Sequence, residues 1–165
     1  AHPDGKFRFA PKWAQVLPHG FDTNSLTSKM PALPDHWPVI EDATAEMPYR
    51  LVTAPARSYL NSTFSETPSS IAREGKPTVM IHPDDAADLG VVDDDIVKLG
   101  NNRGVVPIAV EIFDGLQRGV VVVESIWPNA AFEGGKGINA LTGADPVAPV
   151  GGAAFHDNRI WIKPV

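Results

Sequence analysis

"PTVMIHPDDAADLGVVDDDIVKLGNNRGVVPIAVEIF", residues 77–113, decides the fold because it contains a strand, a helix and two further strands in order. Runs of β-branched and other apolar residues occupy 77–82, 96–100 and 105–113, and proline, glycine, asparagine or aspartate bounds each run. Such bounded runs are typical of short β-strands. The "NNRG" at 101–104 predicts a tight turn that joins the second and third strands as a hairpin.

The stretch "HPDDAADLG" that begins at His82 predicts a two-turn helix. Pro83 suits the first helical position, where no backbone N–H is needed. Asp84 and Asp85 complement the positive end of the helix dipole, and Gly90 suits the left-handed position that ends a helix. His82 then stands at the N-cap, where a structural role is the stronger interpretation than general-base catalysis.

The strand pattern continues on both sides of this stretch, at 49–54 ("YRLVTA"), 120–127 ("VVVVESIW") and 158–165 ("NRIWIKPV"). The last run alternates, which predicts inward Ile160, Ile162 and Val165 and outward Arg159, Trp161 and Lys163. Six or seven short strands with glycine-rich turns and one or two short helices favour a mainly β fold. We expect a closed or nearly closed β-barrel.

The first part of the chain differs from the rest in its composition and in its lack of a regular apolar pattern. Eight of the 16 prolines fall in the first 55 residues, and residues 1–47 show neither a helical nor a strand period. We therefore predict an irregular leader or linker from a preceding domain at 1–47 and the barrel domain at 48–165. The sequence opens without methionine, which suggests a processed chain or a fragment of a longer protein.

Composition excludes several classes of function. The formal charge of the 165 residues is −6, so no basic stripe attracts a nucleic-acid backbone. Cysteine is absent, so the chain cannot build a disulfide, an iron–sulfur cluster or a thiolate nucleophile. The longest apolar run, 119–123, is far too short to span a bilayer, and no signal peptide opens the sequence. We expect a cytoplasmic protein, with an exported parent as the alternative.

Aspartates concentrate around the predicted helix, at Asp84, Asp85, Asp93, Asp94 and Asp95. The spacing lacks the alternating carboxylates and the glycine of a calcium loop. The first two suit a helix N-terminus and the other three suit a polar turn, so a structural role is favoured over metal binding. No Ser-His-Asp or metal-ligand set is recognisable either, and we predict no catalytic residue and no metal ligand in this chain.

Two polar segments carry the remaining chemistry. "RSYLNSTF" at 57–64 offers a guanidinium, amide and hydroxyl groups that suit diphosphate and sugar oxygens. "GKGINALTG" at 135–143 offers free backbone N–H groups and Asn139, whose amide presents a donor beside an acceptor and can pair with the edge of a pterin or purine. The alternative is that both are solvated loops with local side-chain to backbone bonds.

The order of these motifs resembles the C-terminal dinucleotide-binding domain of the molybdopterin oxidoreductases, the family of formate dehydrogenases, nitrate reductases and dimethyl sulfoxide reductases. The motifs that carry the resemblance are the Pro-Asp-Asp-Ala helix ending in Leu-Gly, the acidic turn into a strand, the Arg-Gly hairpin, a second Arg-Gly turn and the later Asn-x-Leu-Thr: Pro83 to Gly90, Asp93 to Val97, Arg103-Gly104, Arg118-Gly119 and Asn139 to Thr142. The likeness covers most of residues 48–165, and several motifs in the family's order are more specific than any one of them.

The resemblance implies a six-stranded double-psi β-barrel that closes over one half of a bis-molybdopterin guanine dinucleotide. Cofactor-binding residues carried over by matching motifs are Arg57, Ser58, Asn61 and Ser62 in the segment after the first strand, Asn139 on the pterin side, and Trp127, Phe155 and His156. Molybdenum or tungsten would be held through the cofactor and by preceding domains, which would also hold any iron–sulfur cluster.

By itself, this chain is expected to be inactive, and its partners are expected to be the preceding domains of the same enzyme. In its narrowest form, the resemblance implies an enzyme of formate-dehydrogenase type. The alternative from another class is a double-psi barrel that serves as a protein-interaction module without a redox cofactor, as at the front of certain ATPases.

Overall fold

The computed structural model describes residues 2–10, 12, 30–33, 35–36, 39–147, 152–156 and 158–165. The chain forms two compact units, one of Glu41–Thr142 with His156–Val165 and one of Ala1–Ile40 with Gly143–Phe155. Much of the predicted leader lies outside the described residues, and the domain boundary near residue 47 stays a prediction. Within the described ranges, no helix has the length and apolar character needed to cross a bilayer.

Strands make up most of the regular structure. In chain order they are β1 (Tyr49–Pro55), β2 (Thr78–Ile81), β3 (Ile96–Gly100), β4 (Val105–Ile112), β5 (Val120–Ser125), β6 (Pro146–Val147), β7 (Gly152–Ala153) and β8 (Asn158–Pro164). Six of them close into a barrel in the order β1-β5-β2-β4-β3-β8, and β6 and β7 form a separate two-stranded sheet in the other unit. β1 runs parallel to β5 and β2 parallel to β4, while the remaining neighbours are antiparallel. The predicted fold, a mainly β protein built on a six-stranded double-psi barrel, is confirmed.

Strand direction decides which connections meet. β1, β3 and β5 end at the same end of the barrel at which β2, β4 and β8 begin. The connections at that end are 56–77, 101–104 and 126–142, together with His156 before β8. We call this set the upper rim. The opposite or lower end carries the connections 82–95 and 113–119.

The core fills the barrel with side chains that alternate inward along each strand. Leu51, Val79, Val97, Val121 and Ile160 are among those with no exposed surface. Burial of such a side chain contributes roughly 1.5–3 kcal/mol, so the closed wall of β-branched residues supplies most of the driving force.

The alternation predicted for β8 holds over most of its length. Ile160 and Ile162 are buried, whereas Lys163 is exposed. The inward prediction for Val165 is wrong, since 76% of this residue is exposed. The pairing of β8 with β3 ends at Val97–Pro164. Val165 therefore lies past the end of β8, where β3 no longer covers it.

Two α-helices occur among the described residues, in agreement with the one or two short helices expected from the sequence. α1 (Pro68–Glu74) lies inside the long connection from β1 to β2 and buries none of its residues. α2 (Pro83–Leu89) has the predicted caps: His82 Nδ1 accepts the Asp84 N–H at 3.1 Å, and Gly90 is left-handed at φ 70°. Three 3₁₀ helices follow β5, at Asn129–Ala131, Glu133–Gly135 and Ile138–Ala140.

The aspartates near α2 are structural at the lower end. The buried Asp85 carboxylate accepts the Gly119 N–H at 2.6 Å and Arg118 Nε at 3.0 Å. Asp93 Oδ1 accepts the Ile112 N–H at 2.7 Å, and Asp94 supplies the left-handed residue of the turn at φ 68°. Over the described part of the chain, no group of three or more His, Asp or Glu side chains is placed to hold a metal ion.

Candidate functional site

The chain leaves β1 through a short anchored bend. Ala56 is buried, and the Ser58 N–H donates to Glu74 Oε1 at 2.5 Å, which ties the bend to the last residue of α1. Arg57 is exposed between them. Its guanidinium makes no hydrogen bond or ion pair with any residue that the structure describes. A cationic donor is therefore held at the upper rim with its hydrogen-bonding capacity available.

A tight turn follows the bend. Leu60 and Thr63 exchange backbone hydrogen bonds of 3.0 and 2.9 Å, so Asn61 and Ser62 lie at the tip of the turn, where both are exposed. Asn61 takes the left-handed conformation at φ 51°, which asparagine tolerates better than most residues. The Ser62 carbonyl accepts the Ser65 hydroxyl at 2.7 Å, which closes the turn. The sequence thus presents an amide and a hydroxyl side by side at the rim.

Two aromatic side chains from different rim connections meet near this end of the barrel. Tyr59 and Trp127 are buried and pack edge to face, with ring centroids 5.3 Å apart and an interplanar angle of 84°. Trp127 was predicted to contact a cofactor; the structure places its indole against the phenol ring of Tyr59. Tyr59 was not among the predicted site residues, although an aromatic residue within the hydroxyl-rich segment 57–64 is a sign of a buried contact.

The Tyr59 hydroxyl is buried and has no hydrogen-bond partner among the described residues. Burial raises the pKa of this phenol, and the negative charge of Glu74 raises it further. A buried hydroxyl without a partner is costly and rare in folded proteins. It marks this part of the upper rim as a place where a polar group from outside the described chain would be stabilising.

The second polar segment lies on the 3₁₀ helix Ile138–Ala140. Ile138 and Leu141 are buried and anchor the helix, which leaves Asn139 exposed between them. The Asn139 carbonyl accepts the Thr142 N–H at 3.3 Å and the Thr142 hydroxyl at 3.2 Å, while its side-chain amide has no partner within the described ranges. The amide is therefore presented at the rim by a segment whose neighbours are fixed in the core.

Gly137, just before this helix, closely approaches a neighbouring side chain. The Gly137 N–H donates to Asn129 Oδ1 at 3.1 Å, and a Cβ at Gly137 would lie 2.6 Å from that same oxygen. The close approach joins the start of the Asn139 segment to the 3₁₀ helix that follows β5.

The two remaining predicted residues are separated by the division of the chain. His156 belongs to the barrel unit, and its Nδ1 lies 3.2 Å from the Thr53 hydroxyl near the end of β1. Phe155 belongs to the other unit, where it is exposed after the Ala154 N–H donates to the Asp145 carbonyl at 3.0 Å. The structure thus brings His156, but not Phe155, into the barrel unit.

Glu124, next to the last residue of β5, has two other carboxylates near it. Burial raises the pKa of the Glu124 carboxyl, and the negative charges of Glu74 and Glu111 raise it further. Glu111 Oε2 also accepts the Thr78 hydroxyl at 2.8 Å. The rim connections themselves carry the exposed carboxylates Glu66 and Glu133, so the upper rim presents acceptors as well as donors.

The strand directions place the segment Arg57 to Ser62, Trp127, Asn139 and His156 at one end of one barrel. A cationic guanidinium and several unpaired amide and hydroxyl donors suit an anionic ligand with many oxygen and nitrogen acceptors. This donor set fits a dinucleotide with a flat heterocycle. Such groups suit the binding and orientation of a ligand, and no metal-ligand cluster occurs among the described residues.

Comparison with known proteins agrees with this description. The family model described as the molydopterin dinucleotide binding domain matches residues 49–159. A probable oxidoreductase of Bacillus subtilis, YoaE, is 36% identical over 138 residues, which are 82% of this chain and 19% of that protein. The respiratory nitrate reductase subunit alpha of Haloferax mediterranei is 26% identical over 110 residues, or 66% of this chain and 11% of that protein.

Among solved structures, acetylene hydratase from Pelobacter acetylenicus superimposes with a TM-score of 0.60 at 14% identity. The match covers 73% of this chain and 19% of the hydratase, and it shows a shared fold. The chain thus spans about a fifth or less of the length of the relatives it matches.

Proposed function

We infer the function of this chain from its family: it belongs to the molydopterin dinucleotide binding domain family, whose model covers residues 49–159. It is a domain that binds a molybdopterin cofactor. Because the chain spans 19% of YoaE, the activity of the whole protein is a proposal. We propose that the parent is a molybdenum or tungsten oxidoreductase, with a formate-dehydrogenase-like enzyme as the narrowest form of that proposal.

The upper rim is the proposed binding surface for half of a bis-molybdopterin guanine dinucleotide. The observation that carries this proposal is that two polar segments far apart in sequence, 57–62 and 136–142, lie in connections at the same end of the barrel. Both present donors that have no partner among the described residues, as an anionic cofactor requires. The buried, unpartnered hydroxyl of Tyr59 beneath them supports the same location.

Each candidate residue has a proposed role that follows from its chemistry. Arg57 would neutralise phosphate charge, while Ser58, Asn61 and Ser62 would donate to phosphate and sugar oxygens. Asn139 would pair with the edge of the pterin. We also propose that the cofactor contacts Trp127, Phe155 and His156. The indole of Trp127 would do so from its buried position beside Tyr59.

When bound, the cofactor supplies the redox chemistry. The chain itself would orient the cofactor and exclude water from one side of it. Neither a metal ligand nor an iron–sulfur cluster is proposed for this chain; both would belong to preceding domains of the parent. The isolated chain is accordingly expected to be inactive.

Preceding domains of the same polypeptide are the proposed partners. Leu60 and Phe64 in the turn are 66% and 54% exposed, and Ile71 on α1 is also exposed. α1 buries no residue, which is unusual because short helices depend on packing for stability. These apolar side chains are proposed to be covered in the parent enzyme.

The predicted cytoplasmic location of the parent is likewise a proposal, which cell fractionation would test.

The central test uses the full-length parent enzyme with Asn139→Ala. We expect the purified Asn139→Ala enzyme to carry less pterin and less molybdenum or tungsten than the wild type. The melting temperature of the isolated chain with the same substitution should equal that of the wild-type chain. Gln117→Ala is the matched control, since Gln117 carries an exposed amide at the lower end. Normal cofactor content in Asn139→Ala would overturn the assignment of the site.

A titration of the isolated chain with GMP or GDP separates the two classes of function. Weak binding with NMR shifts concentrated at 57–63 and 136–143 would support cofactor binding at the upper rim. Shifts confined to the lower end would contradict it and favour a protein-interaction module.

A further inference from the structure

We propose that Arg103 and Asn101, on the hairpin between β3 and β4, are positioning residues that hold the Asn139 segment in its binding conformation. The inference rests on the proposed function, because it concerns the geometry of Asn139. Neither residue is among the proposed contacts to the ligand. Both act through one backbone atom, the carbonyl oxygen of Leu141.

That carbonyl receives two side-chain donors from the hairpin. Asn101 Nδ2 donates to the Leu141 oxygen at 2.7 Å, and Arg103 Nε donates to the same oxygen at 3.0 Å. Asn101 Oδ1 in turn accepts the Arg103 N–H at 2.9 Å, which fixes the hairpin side chains relative to each other. A carbonyl oxygen has two lone pairs, so both of its acceptor positions are used.

The guanidinium of Arg103 is itself held from the other side. Its Nη2 donates to both carboxylate oxygens of Glu41 at 2.7 Å and lies 3.3 Å from Asn158 Oδ1. The Glu41 side chain is only 11% exposed, and its Oε2 also accepts the Arg159 N–H at 3.3 Å. A partly desolvated, charge-assisted pair of this kind holds its geometry better than a surface ion pair. Arg103 thus bonds Glu41 at the start of the barrel unit, Asn158 on β8 and Leu141 in the Asn139 segment.

The Asn139 segment needs such support. Its 3₁₀ helix has three residues, and 3₁₀ geometry holds short pieces weakly. The hairpin also packs closely against it, since a Cβ at Gly104 would lie 3.1 Å from the Ala140 carbonyl oxygen. Asn139 lies two residues before the doubly bonded carbonyl of Leu141. A segment fixed before binding loses less entropy when it binds, so these contacts should raise the affinity for the cofactor.

The test measures the rate at which purified, full-length parent enzyme releases its pterin, read by the fluorescence of the released and oxidised pterin. Arg103→Met removes the donor and the ion pair. Asn101→Asp keeps the Oδ1 acceptor and replaces the Nδ2 donor, which bonds the Leu141 carbonyl at 2.7 Å and the Arg159 carbonyl at 3.5 Å, so it remains informative if Arg103→Met fails to fold. We expect each variant to release pterin about tenfold faster than the wild type, the factor that corresponds to loss of one such hydrogen bond.

Arg118→Met is the matched control, because Arg118 Nε donates to a buried carboxylate, Asp85, at 3.0 Å but does so at the lower end. It should lower the melting temperature without changing pterin release. A second measurement, amide hydrogen exchange resolved by peptide, distinguishes local loosening from general destabilisation. The exchange rate should rise at 138–143 in Asn101→Asp and stay unchanged there in Arg118→Met.

The outcomes separate this inference from the proposed function. If Asn139→Ala lowers cofactor content but Asn101→Asp releases pterin at the wild-type rate, the positioning role is overturned and the binding site stands. If Arg118→Met releases pterin as fast as Asn101→Asp, the effect is one of stability and the positioning role is again overturned. If Asn139→Ala itself retains normal cofactor, the proposed site fails first.

Discussion

The phenol of Tyr59 packs edge to face on the indole of Trp127, with its ring buried and its hydroxyl unpartnered among the described residues. The ring and the hydroxyl therefore have opposite effects on the isolated chain. The ring contributes packing, while the hydroxyl loses hydration without a compensating hydrogen bond. A residue that is suboptimal for folding alone at the candidate site is consistent with a role that requires another molecule.

Tyr59→Phe separates these two effects. In the isolated chain we expect the free energy of unfolding to stay level or rise by about 1 kcal/mol, because the unpaired hydroxyl is removed and the ring contact is kept. Trp127→Ala, by contrast, should cost about 3–5 kcal/mol through loss of a buried aromatic. Urea unfolding followed by fluorescence and circular dichroism measures both. A loss above about 1 kcal/mol in Tyr59→Phe would show that the hydroxyl has a partner in the folded chain.

The carboxyl of Glu124 provides a prediction about pH. Its folded-state pKa is raised by burial, then by Glu74 and Glu111. The folded state thus binds this proton more tightly than the unfolded chain. The free energy of unfolding should fall as pH rises from the ordinary glutamate pKa, roughly 4.3, through the raised value, and should stay lower above it.

Glu124→Gln removes that titration. The variant should be more stable than the wild type near neutral pH, and the difference should vanish below the ordinary glutamate pKa. Urea unfolding at the two pH values measures the difference. Glu66→Gln, an exposed change in the connection 56–77, serves as the control and should alter stability by less than about 0.5 kcal/mol. Equal stability of Glu124→Gln and wild type at neutral pH would contradict the cause given for the pKa shift.

The sequence predicted the barrel because its signals are local. β3 begins and ends as predicted at Ile96 and Gly100, and α2 carries the predicted proline and glycine at its ends. Strand period and cap chemistry depend on neighbours within a few residues, so one sequence suffices to find them. α1 carried the same kind of signal in Pro68 and Gly75, yet its hydroxyl-rich composition favoured a loop.

The candidate site was predictable only in part. The resemblance placed the segment 57–62 and Asn139 near one rim, and the strand directions agree with that placement; their binding roles stay predictions. The contacts that hold the site, Arg103 to Glu41 and to Leu141, join residues 62 and 38 positions apart. Such pairings follow from barrel closure and not from any local pattern, so the sequence alone could not give them.

Asp85 tests the independence of the two ends of the barrel. Its buried carboxylate accepts the Gly119 N–H and Arg118 Nε, so Asp85→Asn should cost about 1.5–3 kcal/mol of unfolding free energy. Asp114→Asn, an exposed change in the same lower-end connection, should cost less than about 0.5 kcal/mol. Urea unfolding of the isolated chain measures both. Pterin content of the parent enzyme carrying Asp85→Asn should stay normal below its melting temperature, and a loss of pterin there would contradict the separation of the ends.

Phe64 provides a test of strain in the turn after β1. It is a bulky residue at φ 72° with 54% of its surface exposed, a conformation that costs an L side chain about 1–2 kcal/mol. Phe64→Gly should therefore stabilise the isolated chain, because glycine adopts this φ without strain. In the parent enzyme the sign should reverse, since the phenyl ring is proposed to pack on a preceding domain.

Leu60→Gly is the control for Phe64→Gly, because Leu60 lies in the same turn and is also exposed but has no positive φ. It should destabilise the isolated chain by roughly 0.5–1 kcal/mol. Thermal unfolding of the isolated chain and of the parent enzyme, compared for both variants, measures the sign in each context. If Phe64→Gly stabilises both, the ring has no partner in the parent and the strain serves no interface. If it destabilises both, the left-handed conformation at Phe64 is not strained, and the argument from φ fails.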